Sequence, residues 1–153
     1  MITKFNNFIN ESINKLISEK DYKEYLLKLI NNYGNKKRAK ESLDDYLYDI
    51  NNLQSNGGTL YRLVFLENIK DLRTDDLGEY WTVYKDDISR YYHNIEVEDE
   101  DVKPYLITGE FEKDSIDIES SIGQFVELPD EYEINIKKQP INFTIKPYKK
   151  PSF

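Results

Sequence analysis

The chain has 153 residues, enough for one ordinary core, or one core with a small helical appendage, and too few for a second enzyme domain. Acidic residues outnumber basic ones 29 to 21, for a net charge of -8, so nothing in the overall charge favours nucleic acid or an anionic membrane, and a basic partner surface suits it better. With no cysteine and with His93 as the single histidine, disulfides, thiolate metal sites, cysteine nucleophiles, histidine-based triads and two-histidine zinc sites are excluded. No apolar run approaches the ~20 residues of a membrane span, and the opening residues lack the apolar core of a secretory signal. The expectation is a soluble cytoplasmic protein with no bound metal and no membrane partner, a monomer rather than an oligomer.

Residues Thr3 to Glu19 place Phe5, Phe8, Ile9, Ile13, Leu16 and Ile17 at helical spacing, which predicts an amphipathic helix. Asp21 is the expected cap of a second helix, with Glu24 closing a capping box, and Tyr22, Tyr25, Leu26, Leu29, Ile30 and Tyr33 continue the repeat until Gly34. A third helix is predicted from Lys36 to Leu53 on Ala39, Leu43, Tyr46, Leu47, Ile50 and Leu53, ending at Ser55-Asn56-Gly57-Gly58. The basic cluster Lys36-Lys37-Arg38-Lys40 reads as a solvated helix face, with phosphate binding as the alternative.

After Gly58 the period shortens, and a β-rich lobe follows the helical one. Thr59 to Leu66 reads as a buried strand carrying one charge, Arg62. Glu79 to Tyr84 reads as a second strand after Gly78, and Asp86 can cap a short helix through Ile88, Tyr91 and Tyr92. Further strands are expected at Pro104 to Phe111, Gln124 to Leu128, Glu131 to Lys137 and Ile141 to Ile145, with the tail from Lys146 to Pro151 leaving the sheet.

Three features of this half carry chemistry. A guanidinium in the run Leu60-Tyr61-Arg62-Leu63-Val64-Phe65 is costly to bury alone, so either a structural carboxylate or an anionic ligand should meet Arg62. In Glu79-Tyr80-Trp81-Thr82, alternation points Trp81 and Thr82 to opposite faces, so one packs and the other faces a cleft. After Pro129, alternation puts Tyr132, Ile134 and Ile136 on one face and Glu131, Glu133 and Asn135 on the other. The Cα atoms of Glu131 and Glu133 would then stand roughly 6.5 to 7 Å apart, able to serve one small substrate, unless the alternation is only a solvated sheet face.

In this order, Tyr61-Arg62, Gly78-x-x-Trp81-Thr82 and Glu131-Tyr132-Glu133 resemble the ADP-ribosyltransferase family, in the branch marked by an arginine on the first core strand, a Ser or Thr opening a later strand and a Glu-x-Glu on a third. The resemblance spans roughly Leu60 to Ile145, and Trp81-Thr82-Val83 stands where a Ser-Thr-Ser run is typical. It implies an α+β fold, with a helical lobe over residues 1–58 followed by a split antiparallel β core over residues 59–153, the two forming one compact unit. It also implies NAD as substrate and a protein acceptor, an arginine side chain in this branch. Cleaving the nicotinamide glycosidic bond develops positive charge on the ribose, which an anion stabilises. By resemblance Glu133 holds the ribose and supports that charge, Glu131 orients or deprotonates the acceptor, and Arg62 beside Tyr61 holds the phosphates or nicotinamide ribose. Thr82 orients Glu133, and an aromatic among Tyr80, Trp81 and Tyr84 covers the nicotinamide.

The opening Met1 to Ser12 also looks like N-termini of tailed-bacteriophage proteins, some of which are cut after a Leu/Ile-x-Glu triplet such as Ile9-Asn10-Glu11; an ordinary helical turn supplies the same triplet. Three readings follow: a transferase modifying a host protein in the host cytoplasm, a catalytically inactive binding or inhibitor module with the same fold, and a phage structural or internal head protein packaged in the virion.

Overall fold

The computed structural model describes residues 16–89 and 101–149. Most of the first expected helix, the Ile9-Asn10-Glu11 triplet, Tyr91 and Tyr92 lie outside them. Helix α1 spans Glu19–Tyr33, and its cap is Ser18, whose hydroxyl accepts from the Asp21 N–H at 3.1 Å. Asp21 is therefore inside the first turn, where its carboxylate favours the positive helix end, and is not the expected cap. Gly34, with φ 67°, takes the left-handed conformation that ends the helix. Helix α2 spans Lys36–Asn56, capped by Asn35, and buries the expected stripe Ala39, Leu43, Tyr46, Leu47, Ile50 and Leu53.

Strands β1 (Gly58–Leu66), β2 (Tyr80–Thr82), β3 (Lys103–Phe111), β4 (Glu133–Asn135) and β5 (Asn142–Pro147) form a five-stranded sheet in the order β4-β2-β1-β3-β5, antiparallel throughout. Helix α3 (Ile118–Glu127) lies between β3 and β4 in the chain. The fold class is α+β.

Two expectations fail for local reasons. Gln124 to Leu128 is no strand: Asp117 caps α3 by accepting from the Ser120 N–H, and Ser121, Ile122, Phe125 and Val126 bury one helical face. A five-residue segment with three apolar positions carries too little periodicity to separate the two. Strand β5 runs on through Lys146 and Pro147, opposite Leu106 and Tyr105, because an edge strand tolerates a residue without an N–H.

One sheet face, carrying Leu60, Trp81, Ile107, Phe111 and Ile134, packs with the α2 stripe and with Ile122 and Phe125 of α3 in a single buried cluster. Helices and sheet thus share one core across the expected boundary at residue 58. On the other face Leu63, Leu106 and Ile88 form a smaller cluster with Tyr61, Phe65 and Tyr148. No described helix is long and apolar enough to cross a membrane.

Candidate active site

The site lies where β1, β2 and β4 meet. Tyr61 stands opposite Thr82, and Thr82 opposite Glu133, so the three form one row across the sheet. That Tyr61–Thr82 pair is the one register position joining β1 to β2. Beyond it Arg62 reaches across the divergence, Nη1 donating to the Tyr80 carbonyl at 2.7 Å. Its guanidinium lies against Gly78, where an added Cβ would stand 2.6 Å from Cζ, Nε and Nη2. With φ +99° as well, residue 78 is suited to glycine on both conformational and steric grounds.

The structure brings all seven residues expected at the site, Tyr61, Arg62, Tyr80, Trp81, Thr82, Glu131 and Glu133, to the wall of one cavity of about 60 Å³, with Leu63, Asp87 and Ile88 completing it. Two details differ from the expectation. Glu131 is not on a strand: the ladder begins at Glu133, Glu131 lies in the turn whose N–H donates to the Leu128 carbonyl at 3.1 Å, and Tyr132 between them has φ 49°. Asn135 is likewise buried rather than solvated, its amide donating to Ser120 Oγ and its backbone bound by Ser121 Oγ. Trp81 is the packing partner of the Trp-Thr pair, 1% exposed, its Nε1 donating to the Gly78 carbonyl at 2.9 Å and its ring edge-on to Phe111. Its ring is therefore not free to cover a ligand. Tyr80 is open beside the cleft, and Tyr84 lines a neighbouring cavity instead.

Electrostatics single out Glu133. Burial first, and then the negative charge of Glu131, push its carboxyl up to about 7 from 4.5, against the opposing pull of Arg62. Its titration is therefore moved from the ordinary carboxylate range toward neutral pH. Thr82 next to it is 6% exposed, and its buried Oγ1 has no hydrogen-bond partner among the described residues. A buried hydroxyl left so costs about 1–3 kcal/mol, which makes it a natural contact for a bound group.

Two larger cavities flank the cleft. One, of about 550 Å³, shares Asp87 with it and is lined by Asp45, Asp49, Asp87 and Asp130 and by Tyr33, Tyr48, Tyr84 and Tyr132. Burial and then the neighbouring Asp49, Asp44 and Glu41 raise the Asp45 carboxyl above its ordinary range. The other, of about 450 Å³, shares Glu131 with the cleft.

Periodicity did not single out the residues behind the site as functional. Tyr46 on α2 is fully buried, stacked on Phe125 at 4.0 Å, and its hydroxyl reaches the carbonyls of Ser121 and Glu133. Asp49, one helical turn on, accepts from Tyr132 at 2.7 Å and from Tyr84 at 2.9 Å. The available signal was a carboxylate at helical spacing inside an apolar stripe, Tyr46, Asp49, Ile50, Leu53. Among the described residues no group of three or more His, Asp or Glu side chains could hold a metal ion. No protein-family model, no curated protein and no solved structure matches this chain.

Proposed function

We propose that this chain is a mono-ADP-ribosyltransferase of the arginine, Ser/Thr, Glu-x-Glu type, with the helical lobe leading into an ADP-ribosyltransferase core, and that it transfers ADP-ribose from NAD to an arginine of a host protein in the host cytoplasm. One observation carries the reading: residues distant in sequence, Arg62, Thr82, Glu131 and Glu133, line a single cleft, with the Thr82 hydroxyl buried and unpartnered among the described residues beside Glu133. NAD supplies a glycosidic bond whose cleavage leaves positive charge on the ribose. Glu133, when ionised, stabilises that charge, and its burial strengthens the interaction. Thr82 Oγ1 donates to the Glu133 carboxylate or to the ribose, Arg62 takes a phosphate, and Tyr80 flanks the nicotinamide. Glu131, which lines both the cleft and the adjoining 450 Å³ cavity, receives the acceptor guanidinium. The acidic side chains of the 550 Å³ cavity, which shares Tyr33, Pro129 and Asp130 with the 450 Å³ one, suit a cationic acceptor.

The polar groups fit NAD, but the space does not: about 60 Å³ is well below the several hundred Å³ (roughly 300–1,000) of a typical ligand pocket. Catalysis on NAD therefore requires the cleft to open beyond its present volume. The same volume favours a second reading, a binding or inhibitor module of this fold with a closed cleft. Incubation with labelled NAD and a bacterial lysate separates the two. The transferase releases nicotinamide and labels protein, and Glu133→Ala lowers both by about a hundredfold or more while remaining folded. A folded Glu133→Ala protein with undiminished turnover, or a wild type that neither binds nor cleaves NAD, removes the enzymatic reading.

A further inference from the structure

The spacing of the two carboxylates depends on one residue. In a continuous strand the pleat would fix both Glu131 and Glu133, but the ladder ends at Glu133 and Glu131 belongs to the preceding turn. Tyr132 is the joint between turn and strand, and its φ of 49° is a left-handed conformation that costs a tyrosine roughly 1 kcal/mol or more. Such a conformation persists when its surroundings hold it.

What holds it is visible. The Tyr132 hydroxyl donates to Asp49 Oδ2 at 2.7 Å, and its ring stands edge-on to Tyr46 (5.0 Å, 86°) and to Phe125 (5.7 Å, 79°). Tyr84, just past the end of β2, donates to the same oxygen at 2.9 Å. Burial and the Asp49 hydrogen bond hold the Tyr84 phenol up to about 12, and the same two causes raise that of Tyr132, so both stay donors at any physiological pH. Tyr46, on the same face of α2, reaches the Glu133 carbonyl. One helix face therefore grips residue 132 by its side chain and residue 133 by its backbone.

We infer that Asp49 is a positioning residue for the candidate catalytic pair: by holding the Tyr132 hydroxyl it keeps the joint left-handed and so turns Glu131 into the same cleft as Glu133. The inference deepens the transferase reading, on which the word catalytic rests, but the geometry it concerns is measurable without NAD.

The test is the titration of Glu133 in the full chain, followed by the side-chain carboxyl carbon signal in 13C-glutamate-labelled protein and assigned by its disappearance in Glu133→Gln. Arg62, Glu131 and Asp87 are the charged groups that share the cleft with it. Tyr132→Phe keeps the ring and loses the grip. Glu131 then moves away and water reaches Glu133, so the midpoint falls by about one pH unit or more from its raised position. Asp49→Ala has the same effect. Asp49→Asn removes the charge but keeps an oxygen acceptor and so leaves the midpoint within about 0.3 pH unit of wild type, which separates the grip from the field of the aspartate. Tyr84→Phe, which leaves the Tyr132 arm intact, behaves like Asp49→Asn.

An unchanged Glu133 midpoint in folded Tyr132→Phe overturns the inference, as does an Asp49→Asn protein that titrates like Asp49→Ala. If Asp49→Ala fails to fold, Tyr132→Phe decides alone. A wild type inert toward NAD but with a midpoint that follows the grip discards the transferase and keeps the joint; an active enzyme with a midpoint indifferent to Tyr132 does the reverse.

Discussion

Strand β1 has two unlike sides. Toward β3 it is paired along its whole length, nine positions from Gly58↔Phe111 to Leu66↔Lys103. Toward β2 it is paired at Tyr61↔Thr82 alone. On the closed side, backbone groups satisfy each other and side chains such as Leu60 and Ile107 are fully buried. On the open side, the Tyr80 carbonyl is taken by the Arg62 guanidinium and the Thr82 hydroxyl is buried without a partner among the described residues. A sheet that stops its ladder after one pair leaves backbone and side-chain polar groups to be met by something else, and that is where the cleft lies. Both edges carry core residues, Trp81 and Ile134 among them on the open side, but only the open edge leaves polar groups at the candidate site. Substitutions on either side should therefore separate stability from the proposed chemistry.

The largest expected effect is on the closed side. Ile107→Ala opens a cavity in the fully buried centre of β3, at a cost of about 2–5 kcal/mol, read as a fall in the denaturant midpoint with unchanged slope. Ile107 stands opposite Arg62 in the ladder but does not itself line the cleft, and the surviving folded protein should titrate Glu133 as before. On the open side, Gly78→Ala puts a Cβ where the Arg62 guanidinium lies, at a backbone angle that disfavours it. The arginine can swing away, so the stability cost is smaller, about 1–3 kcal/mol, and the larger consequence is a displaced Arg62. NAD affinity by calorimetry should drop about tenfold or more, the loss of one charge-assisted contact. Affinity unchanged in Gly78→Ala would take Arg62 out of the binding site.

The same division decides what could be read from the sequence. The α2 stripe was legible because six apolar positions recur at helical spacing, and β1 because the eight residues Thr59 to Leu66, which follow Gly57-Gly58, are rich in β-branched and aromatic side chains and apolar but for Thr59 and Arg62. Of the cleft residues, Arg62 stood out as a charge inside an apolar run and Glu131 and Glu133 through strand alternation, and their order along the chain joined them into one set. What escaped was long-range or conformational. No local pattern shows that Gly78 seats Arg62, because the contact joins two strands that diverge. Nor does Glu-Tyr-Glu look other than a strand, since a left-handed tyrosine leaves no compositional trace and is imposed by Asp49 from another element. Asp49 itself was hidden by falling inside a stripe read for its apolar members.

A smaller effect links stability to pH through Glu133. Its carboxyl is raised to about 7 in the folded chain from 4.5, so between those values the folded state holds more protons than the unfolded one. Stability then falls as pH rises through this window and is level on either side. Glu133→Gln removes the dependence. Its melting temperature should match wild type near pH 4 and exceed it near pH 8, by ~3 °C if about 1 kcal/mol of the effect survives solvent screening. Glu131→Gln should move the step to lower pH, because Glu131 is one of the two causes that raise it. A melting difference that is the same at pH 4 and pH 8 would mean that Glu133 is not desolvated as the cleft geometry requires.

The smallest stability effect is the most discriminating, because its sign opposes its functional consequence. Thr82→Val replaces a hydroxyl by a methyl of nearly the same size at a site that is 6% exposed and where Oγ1 meets no acceptor or donor among the described residues. A residue kept only for the sheet would gain from the change, since valine suits a strand and removes the cost of burying an unmet polar atom. The chain should therefore be unchanged or more stable, by up to about 1 kcal/mol. If the hydroxyl is held in reserve for a ligand or for Glu133, the same variant lowers nicotinamide release about tenfold or more, the worth of one hydrogen bond made during the reaction. Chemical denaturation and nicotinamide release on one preparation give both signs at once. A loss of stability would mean that the Thr82 hydroxyl already has a structural partner, and undiminished release would leave it with no part in the chemistry of the open edge.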